Sequence, residues 1–200
     1  MFVIGLTGPS GAGKGEVARI FSAYGLPIID ADDVYHRLLL PPSSCLKELT
    51  LEFGGDILTS SGELDRRKLG EIVFSNPTAL QRLNSIAHRY VMEDIHRRLE
   101  QLRRIGTRAA VLDAPQLFEA GAHRECGTVV AVLAEKRLRV ERIMMRDGID
   151  AESAYRRINA QKSDDYFRAH SDYVIENNGS AEHLQPIVHK ILLALGVIEE

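Results

Sequence analysis

Phe2 to Thr7 is a short, unbroken apolar run that ends in a glycine-rich turn. Behind it, Val17, Ile20, Phe21 and Tyr24 fall at i, i+3, i+4 and i+7, which predicts a helix over 13–24. Pro27 to Asp30 then reads as a second strand. An unbroken apolar run that leads through a helix to another strand signals a parallel sheet covered on both faces. From about Asp32 to Ile105 the pattern turns helical, with breaks at Pro41-Pro42, Gly54-Gly55, Ser60-Ser61-Gly62 and Asn76-Pro77. Strands return at Arg108 to Asp113, Thr128 to Leu133 and Asp172 to Ile175. The charged stretch Lys136 to His170 reads as two helices. A last amphipathic helix is expected from about Ala181 to Leu195, with Ser180 as its N-cap. Pro186 lies inside that span. A proline in a helix interior costs about 3 kcal/mol, so the helix starts later or kinks there.

This order of elements predicts an α/β core of five strands. A single domain is expected, with a core over about 1–32, 106–135 and 170–200, a helical insertion over about 33–105 and a charged helical flap, read as a lid, over about 136–169. Charged flaps of the last kind close over substrates in nucleotide kinases. The net charge of −3 gives no bulk attraction to a polyanion, so no nucleic-acid partner is expected and any anion site has to be built locally. Cys45 and Cys126 form no CxxC pair and read as free thiols of a reducing compartment. No apolar run approaches about 18 residues, and the N-terminus lacks a basic leader segment. A cytoplasmic protein with no membrane partner is therefore expected, as a monomer or a small homo-oligomer.

Composition leaves the chemistry open, and the first turn narrows it. Gly8-Pro9-Ser10-Gly11-Ala12-Gly13-Lys14 matches G-x-x-x-x-G-K between a strand and a helix. Glycines let the backbone wrap phosphates, and the N–H groups at a helix start face the anion along the positive end of the dipole. Lys14 is placed to reach the β- and γ-phosphates. The fold expected is thus the three-layer P-loop NTPase fold. The next position usually carries a Mg²⁺-ligating Ser or Thr, and here Gly15 stands followed by Glu16. Mg²⁺ is then expected to rest on water and on other carboxylates.

Acidic residues close two strands. Asp30, Asp32 and Asp33 follow strand two, where ligands of open parallel sheets bind. Asp32 is the choice for a base that takes the proton of an attacking hydroxyl. The same run also reads as a helix N-cap cluster, with Asp33 the natural cap. Asp113 ends strand three and reads either as a carboxylate that holds a Mg²⁺ water or as a turn residue before Ala114-Pro115. Arg139, Arg142 and Arg146 share one helix face. Spacing alone leaves them as a solvated face or as charge-stabilising groups over a triphosphate. His88, Arg66 and the Asn177-Asn178-Gly179 turn are weaker signals with structural roles as the default.

Together these motifs are similar to those of the dephospho-CoA kinase family over nearly the whole chain. The match includes Ile4-Gly5-Leu6-Thr7-Gly8, Ile29-Asp30-Ala31-Asp32, Gly62-Glu63-Leu64-Asp65-Arg66, Leu83-Asn84 with His88, Pro115 to Glu119, the three arginines, Gln161, and Asp172 to Gly179. The resemblance implies ATP binding through Gly11, Ala12, Gly13, Lys14, Gly15 and Glu16. It implies Asp32 as the base toward the ribose 3′-hydroxyl of dephospho-CoA, with His88 and Arg66 among the contacts to that substrate. Arg139 and Arg142 would act from the lid, and Asn177 and Gly179 would lie near adenine, with Mg²⁺ as cofactor. The chain departs from the family at Gly15-Glu16, at Gln116 and at Arg89. Two alternatives remain at this point. One is a P-loop kinase of another small hydroxyl substrate. The other is a nucleotide-binding protein with weak catalysis, which Gly15 keeps open.

Overall fold

The structure is a computed structural model that describes residues 1–199, Ala181 in its backbone alone. It contains five strands, β1 (Phe2–Thr7), β2 (Ile28–Asp30), β3 (Ala109–Asp113), β4 (Thr128–Leu133) and β5 (Tyr173–Glu176). They form one sheet in the order β2-β3-β1-β4-β5. The pairings of β1 with β3, β1 with β4, and β4 with β5 are parallel. The central strands β3 and β4 are buried along their whole length, as unbroken apolar runs covered on both faces should be.

The chain divides into two compact units, residues 1–29 with 102–200 and residues 30–101. The first carries the sheet. Its main core joins Ile4, Leu6, Val111, Val130, Val132 and Ile175 to Val17 and Phe21 of α1 (Lys14–Ala23) and to Val188 and Leu192 of α9 (Leu184–Ala194). Helix α9 begins later than the sequence suggests. A single 3-10 turn over Ala181–His183 precedes it, and His183 rather than Ser180 is its N-cap. Pro186 therefore lies in the first helical turn, where the backbone N–H has no intrahelical acceptor to lose.

The charged stretch holds three helices, not two: α6 (Lys136–Asp147), α7 (Ala151–Asn159) and α8 (Asp164–His170). Gly148 ends α6 in the left-handed conformation, Asp150 caps α7, and the Ser163 hydroxyl accepts the Tyr166 N–H to start α8. Val140 and Ile143 pack on Ala154 and Ile158, which holds α6 against α7. Phe167 of α8 packs on Ala131 and Leu133 of the sheet.

The second unit is helical: α2 (Ala31–Leu38), α3 (Ser44–Phe53), α4 (Arg66–Phe74) and the upstream part of α5 (Pro77–Arg104). Its own core is Leu39, Cys45, Leu49, Ile57, Leu69 and Val73. The helices stop where the proline and glycine pairs stand. One capping expectation is corrected. Asp30, not Asp33, caps α2, with its carboxylate accepting the N–H groups of Asp32 at 2.9 Å and Asp33 at 3.1 Å. Asp30 has the extended backbone that an N-cap needs, whereas Asp33 is already helical and pairs with Arg37 one turn on.

Candidate active site

The turn between β1 and α1 is built from glycines in conformations that other residues avoid. Gly8, Gly11 and Gly13 have φ of 145°, 79° and 93°. A Cβ at Gly13 would lie 2.0 Å from Asn177 Nδ2, and one at Gly8 would lie 2.2 Å from the Val132 carbonyl oxygen. Neither position can take a side chain without the loop moving.

Three loop carbonyls are tied to residues from distant parts of the chain. The Ser10 carbonyl accepts from Arg139 Nε at 3.0 Å, and the Ala12 carbonyl accepts from Asn177 Nδ2 at 2.8 Å. Arg142 Nη1 donates to the carbonyls of Gly11 and Ala12, at 3.3 and 3.4 Å, while its Nη2 donates to the Asn177 carbonyl at 3.0 Å. In a trans peptide each N–H points away from the carbonyl of the residue before it. Anchoring Ser10 O and Ala12 O on this side therefore turns the N–H groups of Gly11 and Gly13 to the other. The Ala12 N–H closes a turn onto Pro9 O at 3.2 Å. The result is a backbone cradle for an anion at the start of a ten-residue helix, with two guanidinium charges behind it.

Arg139 is 3% exposed and Asn177 is 6% exposed. Burial pulls the Arg139 guanidinium below its usual pKa range, against the raising effect of Asp164, which accepts from its Nη1 at 3.0 Å. Lys14, the first residue of α1, forms an ion pair with Asp113. Asp113 is 5% exposed and stands opposite Leu6 in the β1–β3 register, so the last residue of β3 lies beside the loop. Gly15 has open space where a side chain would project, and Glu16 is ion-paired with Arg19. The Asn178 side chain accepts the Glu135 N–H at 2.8 Å and fixes the turn after β5 to the end of β4. Gly179 is next in that turn, with His183 Cβ 3.9 Å from where its Cβ would stand.

The remaining residues singled out by sequence belong to the second unit. Asp32 is exposed in the first turn of α2, two residues after its Asp30 cap. Arg66 opens α4, and its Nη1 lies 3.4 Å from His36 Nε2. Arg66 also lowers the pKa of Tyr35, although burial and then Cys45 push that phenol up more strongly. His88 is half-buried on α5. Sequence reasoning gave no role to Ser10 or Gln161. Gln161 Oε1 accepts the Ser10 N–H at 3.0 Å and Arg139 Nη2 at 3.3 Å. Ser10 occupies a free position of the motif and carries no signal of its own. Gln161 is visible only as part of the family pattern.

Among the described residues no helix is long and apolar enough to cross a membrane, and no cluster of three or more His, Cys, Asp or Glu could hold a metal ion.

Comparison with known proteins places these features. The family model for dephospho-CoA kinase matches residues 2–183. The dephospho-CoA kinase of Syntrophotalea carbinolica is 37% identical over 195 residues, covering 98% of this chain and 92% of the relative. Among solved structures, dephospho-CoA kinase from Campylobacter jejuni superimposes with a TM-score of 0.72 at 26% identity, over 98% of both chains. Shikimate kinase from Acinetobacter baumannii shares the fold alone, with a TM-score of 0.52 at 17% identity over 100% of this chain and 96% of that one. The anchored P-loop, the two-unit build and these likenesses agree, and the chain belongs to the dephospho-CoA kinase family.

Proposed function

We propose that this protein transfers the γ-phosphate of ATP to the 3′-hydroxyl of dephospho-CoA, giving coenzyme A and ADP. The observation that carries the nucleotide half is the loop itself, with its carbonyls tied to Arg139, Arg142 and Asn177. Family membership carries the acceptor half. Lys14 exchanges Asp113 for the β- and γ-phosphates when ATP binds at Gly11 to Glu16. Arg142 and Arg139 add positive charge behind the loop, on the carbonyl side opposite the phosphates. Asn177 acts by supporting Ala12, with Gly179 in the turn beside adenine.

Asp32 is the proposed base. Its carboxylate accepts the hydroxyl proton as the ribose oxygen bonds to the γ-phosphorus and the bond to the bridging oxygen of ADP breaks. Asp32 is an exposed carboxylate two residues past the Asp30 cap, in the turn that follows β2. Arg66 and His88 are proposed to hold the acceptor. Mg²⁺ would neutralise phosphate charge when bound. Gly15 offers it no ligand, so we assign its protein contact to Asp113 through water. The setting proposed is cytoplasmic, with small molecules as the partners.

Acceptor competition tests the reading. Initial rates of ADP release are measured with ATP, Mg²⁺ and, in turn, dephospho-CoA, shikimate, gluconate and adenosine. Dephospho-CoA should give a specificity constant at least about a hundredfold above the others. A comparable or higher value for another acceptor would replace the proposal.

A further inference from the structure

Ser10 is held at three atoms by the segment that runs from α6 to the α7–α8 connection. Its N–H donates to Gln161 Oε1 at 3.0 Å. Its carbonyl accepts from Arg139 Nε at 3.0 Å. Its hydroxyl lies 3.3 Å from Arg146 Nη2. The partners are 129 to 151 residues away in sequence, and they come from one continuous stretch of the chain. Gln161 binds this set together. Its single side-chain oxygen accepts from both Ser10 and Arg139, at 3.0 and 3.3 Å, and Asp164 just beyond it takes the other Nη of the same arginine at 3.0 Å.

We infer that Gln161 is a positioning residue for ATP, acting through Ser10 and Arg139 on the backbone cradle. The chemistry of the residue supports this. An amide oxygen can accept two hydrogen bonds at once, and it does so without the charge that would compete with phosphate. Without that oxygen, the N–H of the Pro9–Ser10 peptide and one Arg139 donor lose their partner together, and the guanidinium whose Nε holds the carbonyl of the Ser10–Gly11 peptide is itself less firmly held. That peptide carries the Gly11 N–H, one of the donors that the tied carbonyls turn toward the anion side. Gln161 itself is exposed on the connection between α7 and α8, so its contribution to the packed core is small. None of these contacts involves Asp32, Arg66 or His88, the residues proposed toward the acceptor. The expected effect is therefore on ATP alone.

This inference rests on the loop holding the phosphates of ATP, and the test separates the two. ADP affinity is measured by calorimetry with Mg²⁺, and both Michaelis constants are measured by coupled assay. Gln161→Met keeps the length and removes the oxygen. It should weaken ADP binding and raise KM for ATP by about five- to tenfold, the size of one or two lost hydrogen bonds, with KM for dephospho-CoA within about twofold. Gln161→Glu keeps an acceptor at the same reach and should bind ADP more tightly than the methionine variant, short of wild type because its charge opposes the phosphates. Gln161→Asn, one methylene short, should behave like the methionine variant and guards against a folding defect in it. Unchanged ADP affinity in both Gln161→Met and Gln161→Asn would overturn the inference. So would a parallel rise in both Michaelis constants with no rescue by glutamate, which is the sign of a merely structural part. Lys14→Ala tests the loop reading separately: if ADP affinity were unchanged in that variant, the loop assignment itself would fail.

Discussion

The loop of the first unit and the acceptor residues proposed in the second are built in opposite ways. Around the loop, buried groups from distant parts of the chain converge. Asn177 reaches Ala12 across 165 residues, and Arg139 reaches Ser10 across 129. In the second unit, Asp32 and Arg66 sit at helix starts and on the surface, and the bonds that place those helices are local. Asp30 caps the turn that carries Asp32, and Asp65 caps α4 directly before Arg66, accepting the N–H groups of Arg67 and Lys68 at 3.1 Å. The difference suggests a division of labour. A triphosphate is the same small anion in every turnover and rewards a preformed cradle. A longer acceptor is better met by exposed side chains that can change rotamer on binding.

That contrast can be broken from either side. Asp32→Asn removes the proposed base without changing its volume or the Asp30 cap. It should lower kcat by about 10²- to 10⁴-fold while ADP affinity, measured by calorimetry, stays within about twofold. Gly13→Ala attacks the cradle, where the new methyl meets Asn177 at 2.0 Å and the backbone holds φ of 93°. The left-handed conformation alone costs about 1–2 kcal/mol, and ADP binding should fall at least about tenfold as the loop shifts. Asn177→Ala leaves the Ala12 carbonyl without its donor at a buried position. The expected loss is about 1–3 kcal/mol of stability in chemical unfolding, with weaker ADP binding alongside. The smallest change is expected from Gly15→Ser. Open space surrounds this position and φ is not left-handed, so stability should hold. The concentration of Mg²⁺ for half-maximal rate should drop by a few-fold as a hydroxyl ligand is restored.

How far the sequence discloses the molecule follows the same line. Strands buried on both faces, such as β3 and β4, write themselves as apolar runs, and the partly buried edge strands β2 and β5 are also readable to within a residue or two. The insertion helices are readable from their proline and glycine breaks. The charged stretch is harder. The boundary between α7 and α8 rests on Ser163, a cap three residues before Tyr166 with no glycine or proline to mark it. The aspartate run misleads for a related reason. Three neighbouring carboxylates can each cap a helix on paper, the sequence favours Asp33, and only the backbone at Asp30 selects it. The P-loop is legible as a motif, yet the groups that hold its carbonyls are not. A hydrogen bond between residues 151 apart, such as Gln161 to Ser10, leaves no periodic trace in either segment. Charge spacing placed Arg139, Arg142 and Arg146 on one face. Only packing shows that this face backs the loop.

The central claim is a phosphoryl transfer from ATP on the loop to one particular oxygen, and phosphorus NMR of the product tests it most directly. With ATP carrying an isotopically marked γ-phosphate, Mg²⁺ and dephospho-CoA, the label should appear in a phosphomonoester coupled to the ribose 3′ proton, one for each ADP released. Label found only in inorganic phosphate, or on any other position of the acceptor, would contradict the account.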